Sequence, residues 1–193
     1  MFYEPKDGHG LPHNPFTAIV APRPIGWIST RSAAGDNLAP YSFFNAVAYD
    51  PPQVMFASTG VKDSLTNIRE NGAFCVNIVG QAQFLAMSLT SGSYPRDVDE
   101  FERAGLNKSA CRQIDCPRVA EAPAALECRM LEIVTLAGKA NFMAIGEVVG
   151  VHLRDDCLVD GRFDPKIWKP VARMGYQDYA MPESFVTQKR PGE

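Results

Sequence analysis

The feature that most constrains the fold is a series of short, strand-like segments in the first half of the chain, separated by turns that contain proline and glycine. The segments are TAIVAP (17–22), IGWIST (25–30), AVAYD (46–50), QVMFAS (53–58) and AFCVNIV (73–79). Each is rich in β-branched or aromatic residues, which favour strands. Because strands and helices do not alternate regularly, a parallel sheet with crossover helices is disfavoured. The pattern predicts a mainly β fold, a mostly antiparallel barrel with a few inserted helices.

Turn residues predict where neighbouring strands pair. The segment SAAGDN (32–37) is typical of a hairpin turn, with Gly35 and Asp36 at its tip. DPP (50–52) predicts a second sharp connection, because proline does not sit inside a paired strand. Two long segments, ALECRMLEIVTLAG (125–138) and NFMAIGEVVGVHL (141–153), are expected to form a hairpin around residues 138–141.

Three helices are predicted between these strands. The segment VKDSLTNIRENG (61–72) predicts a helix over about 63–71 that Asp63 or Ser64 caps and Gly72 ends. QAQFLAMSLTSG (81–92) predicts the second helix, and DVDEFERAGL (97–106) predicts the third, with Asp97 or Asp99 as its cap.

Lys62 is an unusual residue for the start of a helix, because the N-terminus of a helix carries a partial positive charge. One interpretation is a surface charge that the neighbouring Asp63 tempers. The other is a counter-charge for a bound anion, since the preceding residues ASTG (57–60) supply hydroxyl groups and a glycine. An ordinary loop followed by an N-cap remains the alternative for the whole segment 57–66.

Composition restricts the classes of protein to consider. With 193 residues, 46% of them hydrophobic and 21% charged, the chain is expected to form one globular domain over residues 1–193. Residues 1–12 and 183–193 are expected to be loose or peripheral. A net charge of −3 argues against a nucleic-acid binder.

The sequence also bears on the cell compartment. No apolar run approaches the roughly 18–20 residues of a membrane span, and the polar N-terminus lacks the apolar core of a secretory signal. A cytoplasmic protein with reduced cysteines is therefore expected. Cys111 and Cys116 form the only close cysteine pair, and with no second pair at metal spacing a zinc site is disfavoured.

Common catalytic motifs are absent from the sequence. There is no G-x-G-x-x-G, P-loop, H-E-x-x-H or G-x-S-x-G pattern, and the chain has three histidines. His152 is the one candidate base for a hydrolase, although a half-buried strand histidine is the favoured interpretation. No catalytic side chain is predicted, so an enzyme of this sequence would rely on a bound cofactor.

Two residues near the start of the barrel are candidates for ligand contacts. Arg23 lies between two prolines that hold the backbone extended, so that its guanidinium could present a bidentate fork to a phosphate. A solvent-exposed arginine at a strand start is the alternative. Trp27 could stack on a ligand, although a place in the core is favoured.

The segment APYSFFNAV (39–47) combines polar and aromatic residues in one turn. Ser42 and Asn45 offer hydrogen bonds beside Phe43 and Phe44, an arrangement that could hold a planar ring by its edge. An aromatic cluster beneath a loop is the alternative interpretation.

As a set, these segments resemble a known family. The stretch PRPIGWISTRSAAGDNLAPYSFFNAVAYDPPQVMFAS, followed by KDSLTNI and FCVNIV, resembles the flavin reductase-like, FMN-binding split-barrel family. The segments FMAIGEVVGVH and VARMGYQDYA are similar to the closing segments of that family, so that the resemblance runs from about residue 13 to 180. It implies a six-stranded antiparallel Greek-key split barrel with peripheral helices, and a homodimer with FMN at or near the interface.

The resemblance also implies roles for individual residues. The FMN phosphate would be met by Arg23, Lys62 and Thr66, with Ser29 or Thr30 near the phosphate and the ribityl chain. The isoalloxazine edge would be lined by Ser42, Phe43, Phe44 and Asn45, largely through their backbone groups. Ser58 would end the strand that leads to the phosphate loop, and Trp27 would lie beside the cofactor.

The implied reaction is hydride transfer from NADH or NADPH to N5 of FMN, followed by electron transfer to free flavin, a partner oxygenase or another acceptor. An FMN-containing electron carrier of the flavoredoxin type, without substantial NAD(P)H activity, is the alternative. A barrel that has lost its cofactor is a third possibility. The sequence departs from the family's Arg-x-Gly-Gly turn, because Tyr176 follows Gly175. This departure leaves the donor specificity and the roles of His152, Arg173 and Tyr176 open.

Overall fold

The computed structural model of the chain describes residues 1–192. The strands are β1 (Arg23–Pro24), β2 (Gly26–Ser32), β3 (Gly35–Tyr41), β4 (Phe44–Tyr49), β5 (Pro52–Thr59), β6 (Ala73–Ile78), β7 (Lys108–Ala110), β8 (Pro117–Val119), β9 (Ala124–Leu136), β10 (Asn141–Leu153), β11 (Leu158–Val159), β12 (Arg162–Phe163), β13 (Ala172–Gly175) and β14 (Asp178–Ala180). The α-helices are α1 (Phe16–Ile19), α2 (Asp63–Asn71), α3 (Phe84–Leu89), α4 (Glu100–Arg103) and α5 (Pro165–Trp168). Short 3₁₀ helices cover Pro5–Asp7, Gln81–Gln83 and Asp155–Cys157.

The main element is an antiparallel sheet with the spatial order β3-β2-β6-β9-β10-β5-β4. Its two edge strands, β3 and β4, follow each other in the chain, and the barrel is split between them. The predicted mainly β, antiparallel split barrel with peripheral helices is confirmed. The count of six strands was wrong by one, because β4 also pairs with β5, from Phe44 opposite Phe56 to Tyr49 opposite Pro52, with a register shift between Ala46 and Ala48.

The predicted turns connect the strands as expected, with one shift. Residues 32–37 form the hairpin between β2 and β3, but its tip is Ala33–Ala34 rather than Gly35–Asp36. Asp36 instead pairs with Arg31 across the ladder, where its carboxylate accepts a hydrogen bond of 2.7 Å from Arg31 Nε. This cross-strand ion pair moves the turn two residues toward the N-terminus.

The two long segments of the second half form the predicted hairpin. Strands β9 and β10 pair along their whole length, starting with Leu136 opposite Asn141 and ending with Ala124 opposite Leu153. Strand β10 also pairs with β5, and β9 with β6, so this hairpin occupies the centre of the sheet.

Helix α2 has the predicted bounds but a different cap. Gly72 ends the helix in the left-handed conformation, with φ of 70°. The N-cap position is Lys62, and no side chain caps the first turn. The predicted capping by Asp63 or Ser64 was wrong, because Ser64 Oγ donates to Asn37 Oδ1 at 2.9 Å and the Asp63 carboxylate lies 4.0 Å from Arg96 Nε.

The other two predicted helices are shorter than the sequence indicated. Residues 81–89 divide into a 3₁₀ turn and helix α3. Helix α4 covers four residues, and the carboxylate of its predicted cap, Asp99, accepts a hydrogen bond of 2.9 Å from the Phe101 amide.

The core consists of two large clusters that lie on opposite sides of β2. One fills the barrel interior and includes Ile28, Phe56 and Phe74. The other lies beneath the peripheral helices and includes Trp27 and Phe101. Across residues 1–192, no helix has the length and apolar character needed to cross a membrane. The two core clusters leave the ends of β3 and β5 free to line a cavity at the split.

Candidate functional site

A cavity of about 460 Å³ lies at the split of the barrel. Its volume falls within the range of about 300–1,000 Å³ that is usual for small-molecule and cofactor sites. It is lined by residues of six regions: Thr17 in α1; Arg23 and Ile25 around β1; Pro40, Tyr41, Ser42 and Phe43 at the end of β3; Ala57, Ser58, Thr59 and Lys62 at the end of β5; Met87 and Ser91 in and after α3; and Arg173, Tyr176 and Tyr179 in the hairpin of β13 and β14. The cavity is therefore built where the two edge strands separate.

The charge of this cavity is positive, although the chain as a whole has a net charge of −3. Arg23, Lys62 and Arg173 line it, and no aspartate or glutamate does. Within the described part of the chain, none of these three cations forms an ion pair. Uncompensated positive charge in a concave site favours an anionic ligand.

Lys62 reaches the cavity from the start of α2. Its Nζ atom lies 5.9 Å from the centroid of the Tyr41 ring. The neighbouring Asp63 faces Arg96, so it does not neutralise the lysine. Because no side chain caps α2, the first backbone N–H groups of the helix are available to a ligand or to water. A lysine and a helix N-terminus together form a place for an anion.

Ser58 lies beside this helix start. It is 4% exposed, and its Oγ atom donates a hydrogen bond of 3.0 Å to the Gly60 carbonyl oxygen. Gly60 adopts a φ of 85°, which turns the chain from β5 toward α2. The hydroxyl of Ser58 is thus held at the mouth of the predicted phosphate loop.

Arg23 enters the cavity from β1 and is 7% exposed. Its Nη1 atom donates to the carbonyl oxygens of Thr17 and Val20, and its Nε atom has no hydrogen-bond partner among residues 1–192. The guanidinium carbon lies 5.7 Å from the centroid of the Phe43 ring. Burial, together with the nearby charge of Arg173, lowers the pKa of Arg23. An anion in the cavity would oppose this lowering, because an opposite charge favours the charged form of the guanidinium.

In the segment that connects the edge strands β3 and β4, some side chains line the cavity and others lie outside it. Ser42 and Phe43 line the cavity. The Phe43 carbonyl oxygen accepts a hydrogen bond of 2.7 Å from the Ala57 amide, which ties this segment to β5. Phe44 belongs to the core of the barrel, and Asn45 is exposed, with its Oδ1 atom accepting from the Ala46 amide.

Besides Phe44 and Asn45, the structure places four more predicted site residues away from the cavity. Trp27 is fully buried and donates from Nε1 to Thr90 Oγ1 at 2.9 Å, as the core interpretation expects. Ser29 and Thr30 are also fully buried, because β2 is an inner strand of the sheet. Ser29 Oγ donates to the Pro117 carbonyl, and Thr30 Oγ1 accepts from Asn67 Nδ2. Thr66 Oγ1 donates to the Lys62 carbonyl at 3.2 Å, within the first turn of α2.

Tyr41 is a cavity residue that the sequence did not single out. It is 6% exposed, its ring packs against Phe56, and its hydroxyl has no hydrogen-bond partner within the described chain. Burial raises the pKa of this hydroxyl. Tyr41 and Lys62 also line an adjoining cavity of about 280 Å³. Tyr41 is the last residue of β3, and no local pattern in the sequence distinguishes it as a cavity residue.

The remaining wall comes from the C-terminal hairpin of β13 and β14. Gly175 has a φ of 115°, and a Cβ atom on it would lie 2.6 Å from Ala18 Cα in α1. Tyr176 has a φ of 48°, a conformation that favours glycine. Tyr176 therefore occupies the position at which the family resemblance led us to expect a second glycine, and it contributes an aromatic ring to the cavity.

Comparisons with known proteins agree with this architecture. Residues 20–167 match the model of the flavin reductase like domain. An uncharacterized protein of Deinococcus radiodurans is 40% identical over 172 residues, which cover 82% of this chain and 75% of that protein.

Two solved structures are similar over nearly the whole chain. The 2-nitrobenzoate 2-nitroreductase NbaA of Pseudomonas fluorescens is 32% identical, with a TM-score of 0.83 over 92% of this chain and 89% of that one. Component B of the nitrilotriacetate monooxygenase of Bacillus cereus is 28% identical, with a TM-score of 0.86 over 94% of this chain and 100% of that one. Together with its split barrel, these matches show that the chain belongs to the flavin reductase like domain family.

Proposed function

We propose that the chain is an FMN-dependent NAD(P)H:flavin oxidoreductase that binds FMN in the cavity at the barrel split. The observation that carries this proposal is the cluster of Arg23, Lys62 and Arg173 around a cavity of cofactor size, with no carboxylate among the lining residues. Membership of the flavin reductase like domain family supports the choice of flavin as the ligand.

The lining residues fit the chemistry of FMN. A phosphate would be held by Lys62 and by the uncapped backbone N–H groups of α2, with Ser58 beside them. Arg23, for which the resemblance also implies a phosphate contact, lies opposite Arg173 in the ladder and adds positive charge from β1. Phe43 and Ser42 offer an apolar face and polar groups to the ring system. The unpartnered Tyr41 hydroxyl and Arg23 Nε supply donors that a polar ligand would satisfy.

The chain itself would contribute binding, orientation and electrostatics. When bound, FMN would supply a two-electron acceptor at its N5 atom. The positive side chains of the cavity stabilise negative charge that develops inside it, and the site holds them in place before the reaction begins. No side-chain nucleophile is needed, which agrees with the absence of a catalytic motif from the sequence.

The similar structures suggest where the electrons go. One similar protein is named as a nitroreductase and another as a component of a monooxygenase. We therefore propose that the reduced flavoprotein passes its electrons to free flavin, to a partner oxygenase or to a small-molecule acceptor. A homodimer is proposed as the assembly that carries out this reaction.

Anaerobic mixing tests the proposed activity. The purified protein is reconstituted with FMN and mixed without oxygen with NADH or with NADPH, and the visible absorption of the flavin is followed. We expect at least one nucleotide to bleach the flavin completely. Bleaching by dithionite but by neither nucleotide would instead identify an electron carrier that accepts electrons from another protein. Failure to retain FMN would contradict both assignments.

A further inference from the structure

Two arginines face each other at one wall of the cavity. Arg23 in β1 and Arg173 in β13 are directly opposite each other in the antiparallel ladder. Both line the cavity, and neither has an aspartate or glutamate within ion-pair distance in residues 1–192. Like charges at opposed positions of a ladder repel each other, so this pair destabilises the free protein. A bound anion between them would remove that repulsion.

The structure holds both guanidinium groups in place. Arg23 is anchored by the carbonyl oxygens of Thr17 and Val20, which leaves its buried Nε atom unpartnered. Arg173 donates from Nη2 to the Tyr176 carbonyl, and its guanidinium carbon lies 4.5 Å from the centroid of the Tyr179 ring. Fixed cations lose little conformational entropy when a ligand binds, which favours a binding role.

This pair lies in the three-stranded sheet of β1, β13 and β14, whereas Lys62 lies at the start of α2. Arg23 packs against Phe43, and Arg173 packs against Tyr179. Lys62 lies instead against Tyr41, at the uncapped end of its helix. A cavity with two cationic centres fits two anionic groups. A flavin mononucleotide has one phosphate, and the dinucleotide that would reduce it carries a pyrophosphate as a further anionic group.

We propose that Arg23 and Arg173 form the subsite for the pyrophosphate of the nicotinamide dinucleotide, an assignment that rests on the proposed function. A pyrophosphate carries two adjacent anionic groups, which two opposed guanidinium groups can bind together through charge-assisted hydrogen bonds. The rings of Tyr176 and Tyr179 lie at the same wall and offer aromatic faces to the nucleotide.

The test varies Arg173 and compares two hydride donors. The first donor is NADH, and the second is 1-benzyl-1,4-dihydronicotinamide, which carries no phosphate. The concentration dependence of anaerobic flavin bleaching gives the Kd of each donor. We expect Arg173→Gln to raise the Kd of NADH by about tenfold, as one charge-assisted interaction is lost. The Kd of the phosphate-free donor should change by less than about twofold, because this donor has no anion for the arginine to bind.

Two further variants distinguish the loss of the positive charge from a structural effect of the substitution. Arg173→Lys keeps the positive charge and should recover part of the lost NADH affinity. Lys166→Gln removes an exposed cation in α5, outside the cavity, and should behave as the wild type with both donors. An unchanged Kd for NADH in Arg173→Gln would overturn the proposal. An equal loss of affinity for both donors would also overturn it, since that result indicates a structural role.

A binding measurement distinguishes failure of this subsite from failure of the proposed function. Isothermal titration calorimetry of the oxidised, FMN-loaded protein with NAD⁺ measures binding without turnover. If NAD⁺ binds the wild type and Arg173→Gln weakens this binding about tenfold, the subsite is supported, even if NADH does not bleach the flavin. If NADH bleaches the flavin of the wild type, and the Kd of NADH is the same for the wild type and Arg173→Gln, the proposed function is supported and the subsite is contradicted.

Discussion

Lys62 occupies the N-cap of α2, where the positive end of the helix dipole makes a lysine unfavourable. The nearest acidic neighbour in sequence, Asp63, faces Arg96 and does not compensate the charge. The lysine instead points to the cavity that also contains Arg23 and Arg173. Its presence lowers the intrinsic stability of the helix start and raises the affinity of that start for an anion.

The first prediction concerns this lysine. Lys62→Ala should raise the Kd of FMN by about tenfold or more, because one charge-assisted contact to the phosphate is removed. The Kd of riboflavin, which has no phosphate, should change much less. Fluorescence quenching of each flavin on titration measures both constants.

Two comparison variants complete that test. Lys139→Ala removes an exposed lysine from the turn between β9 and β10 and should leave both constants unchanged. Thr66→Ala should have a smaller effect than Lys62→Ala, because its hydroxyl donates to the Lys62 carbonyl rather than lining the cavity. An equal loss of FMN and riboflavin affinity in Lys62→Ala would contradict the phosphate assignment.

At the scale of elements, one buried carboxylate joins two strands to a loop. Glu127 in β9 is 1% exposed and accepts hydrogen bonds from the amides of Arg112 (2.7 Å) and Gln113 (2.6 Å). It also interacts with His152 Nε2 in β10. Burial raises the pKa of Glu127, but the two amides and His152 lower it further, so its net pKa lies below the usual value. The ionised form therefore stabilises the folded protein.

This carboxylate predicts a pH-dependent stability. Because its folded-state pKa is below the unfolded value of about 4.3, its contribution is present above that pH and is lost as the pH falls through the folded-state pKa. Glu127→Gln should lower the free energy of unfolding at pH 7 by about 1–3 kcal/mol. Its difference from the wild type should shrink progressively below about pH 4.

Urea denaturation over a series of pH values measures this effect. Glu102→Gln, which changes an exposed carboxylate in α4, serves as the control and should match the wild type within about 0.5 kcal/mol. A difference between Glu127→Gln and the wild type that does not depend on pH would show that the charge of Glu127 is unimportant.

Local sequence rules predicted most of the elements and part of the site. Strand composition, the DPP turn and the helix stop at Gly72 are local signals, and most of them lie where the sequence indicated. The strand predicted for TAIVAP (17–22) was wrong, because residues 16–19 form the short helix α1. The hairpin tip shifted because Arg31 and Asp36 pair across strands, which a local turn rule does not include. Lys62 could be identified from the sequence as a candidate anion-binding residue, because a lysine is unfavourable at the N-terminus of a helix. Arg173 could not, because its role depends on pairing with the distant Arg23.

At the scale of the whole molecule, strand β4 leaves one edge of the main sheet uncovered. Residues 45–49 are all exposed, including Val47 (52%) and Tyr49 (95%). An edge strand with exposed apolar side chains is a template for association with another chain. The expected homodimer would cover such an edge.

The expected dimer is tested by sedimentation equilibrium. The wild type should have a mass twice the 21.2 kDa of one chain. Val47→Glu should shift the protein to a monomer, because a charge on the edge strand opposes association. Val186→Glu changes a residue in the tail that is 92% exposed and should leave the dimer intact. A wild-type monomer would contradict the dimer, and an intact Val47→Glu dimer would place the interface elsewhere.

The pairing of β1 with β13 joins residues that are far apart in the chain. The family match ends at residue 167, so Arg173, Tyr176 and Tyr179 lie beyond it, while Lys62 and Ser58 lie inside. The cavity therefore combines a wall inside the matched domain with a wall outside it. Substitutions at Arg173, Tyr176 or Tyr179 would change one wall of the cavity and leave the residues around Lys62 unchanged.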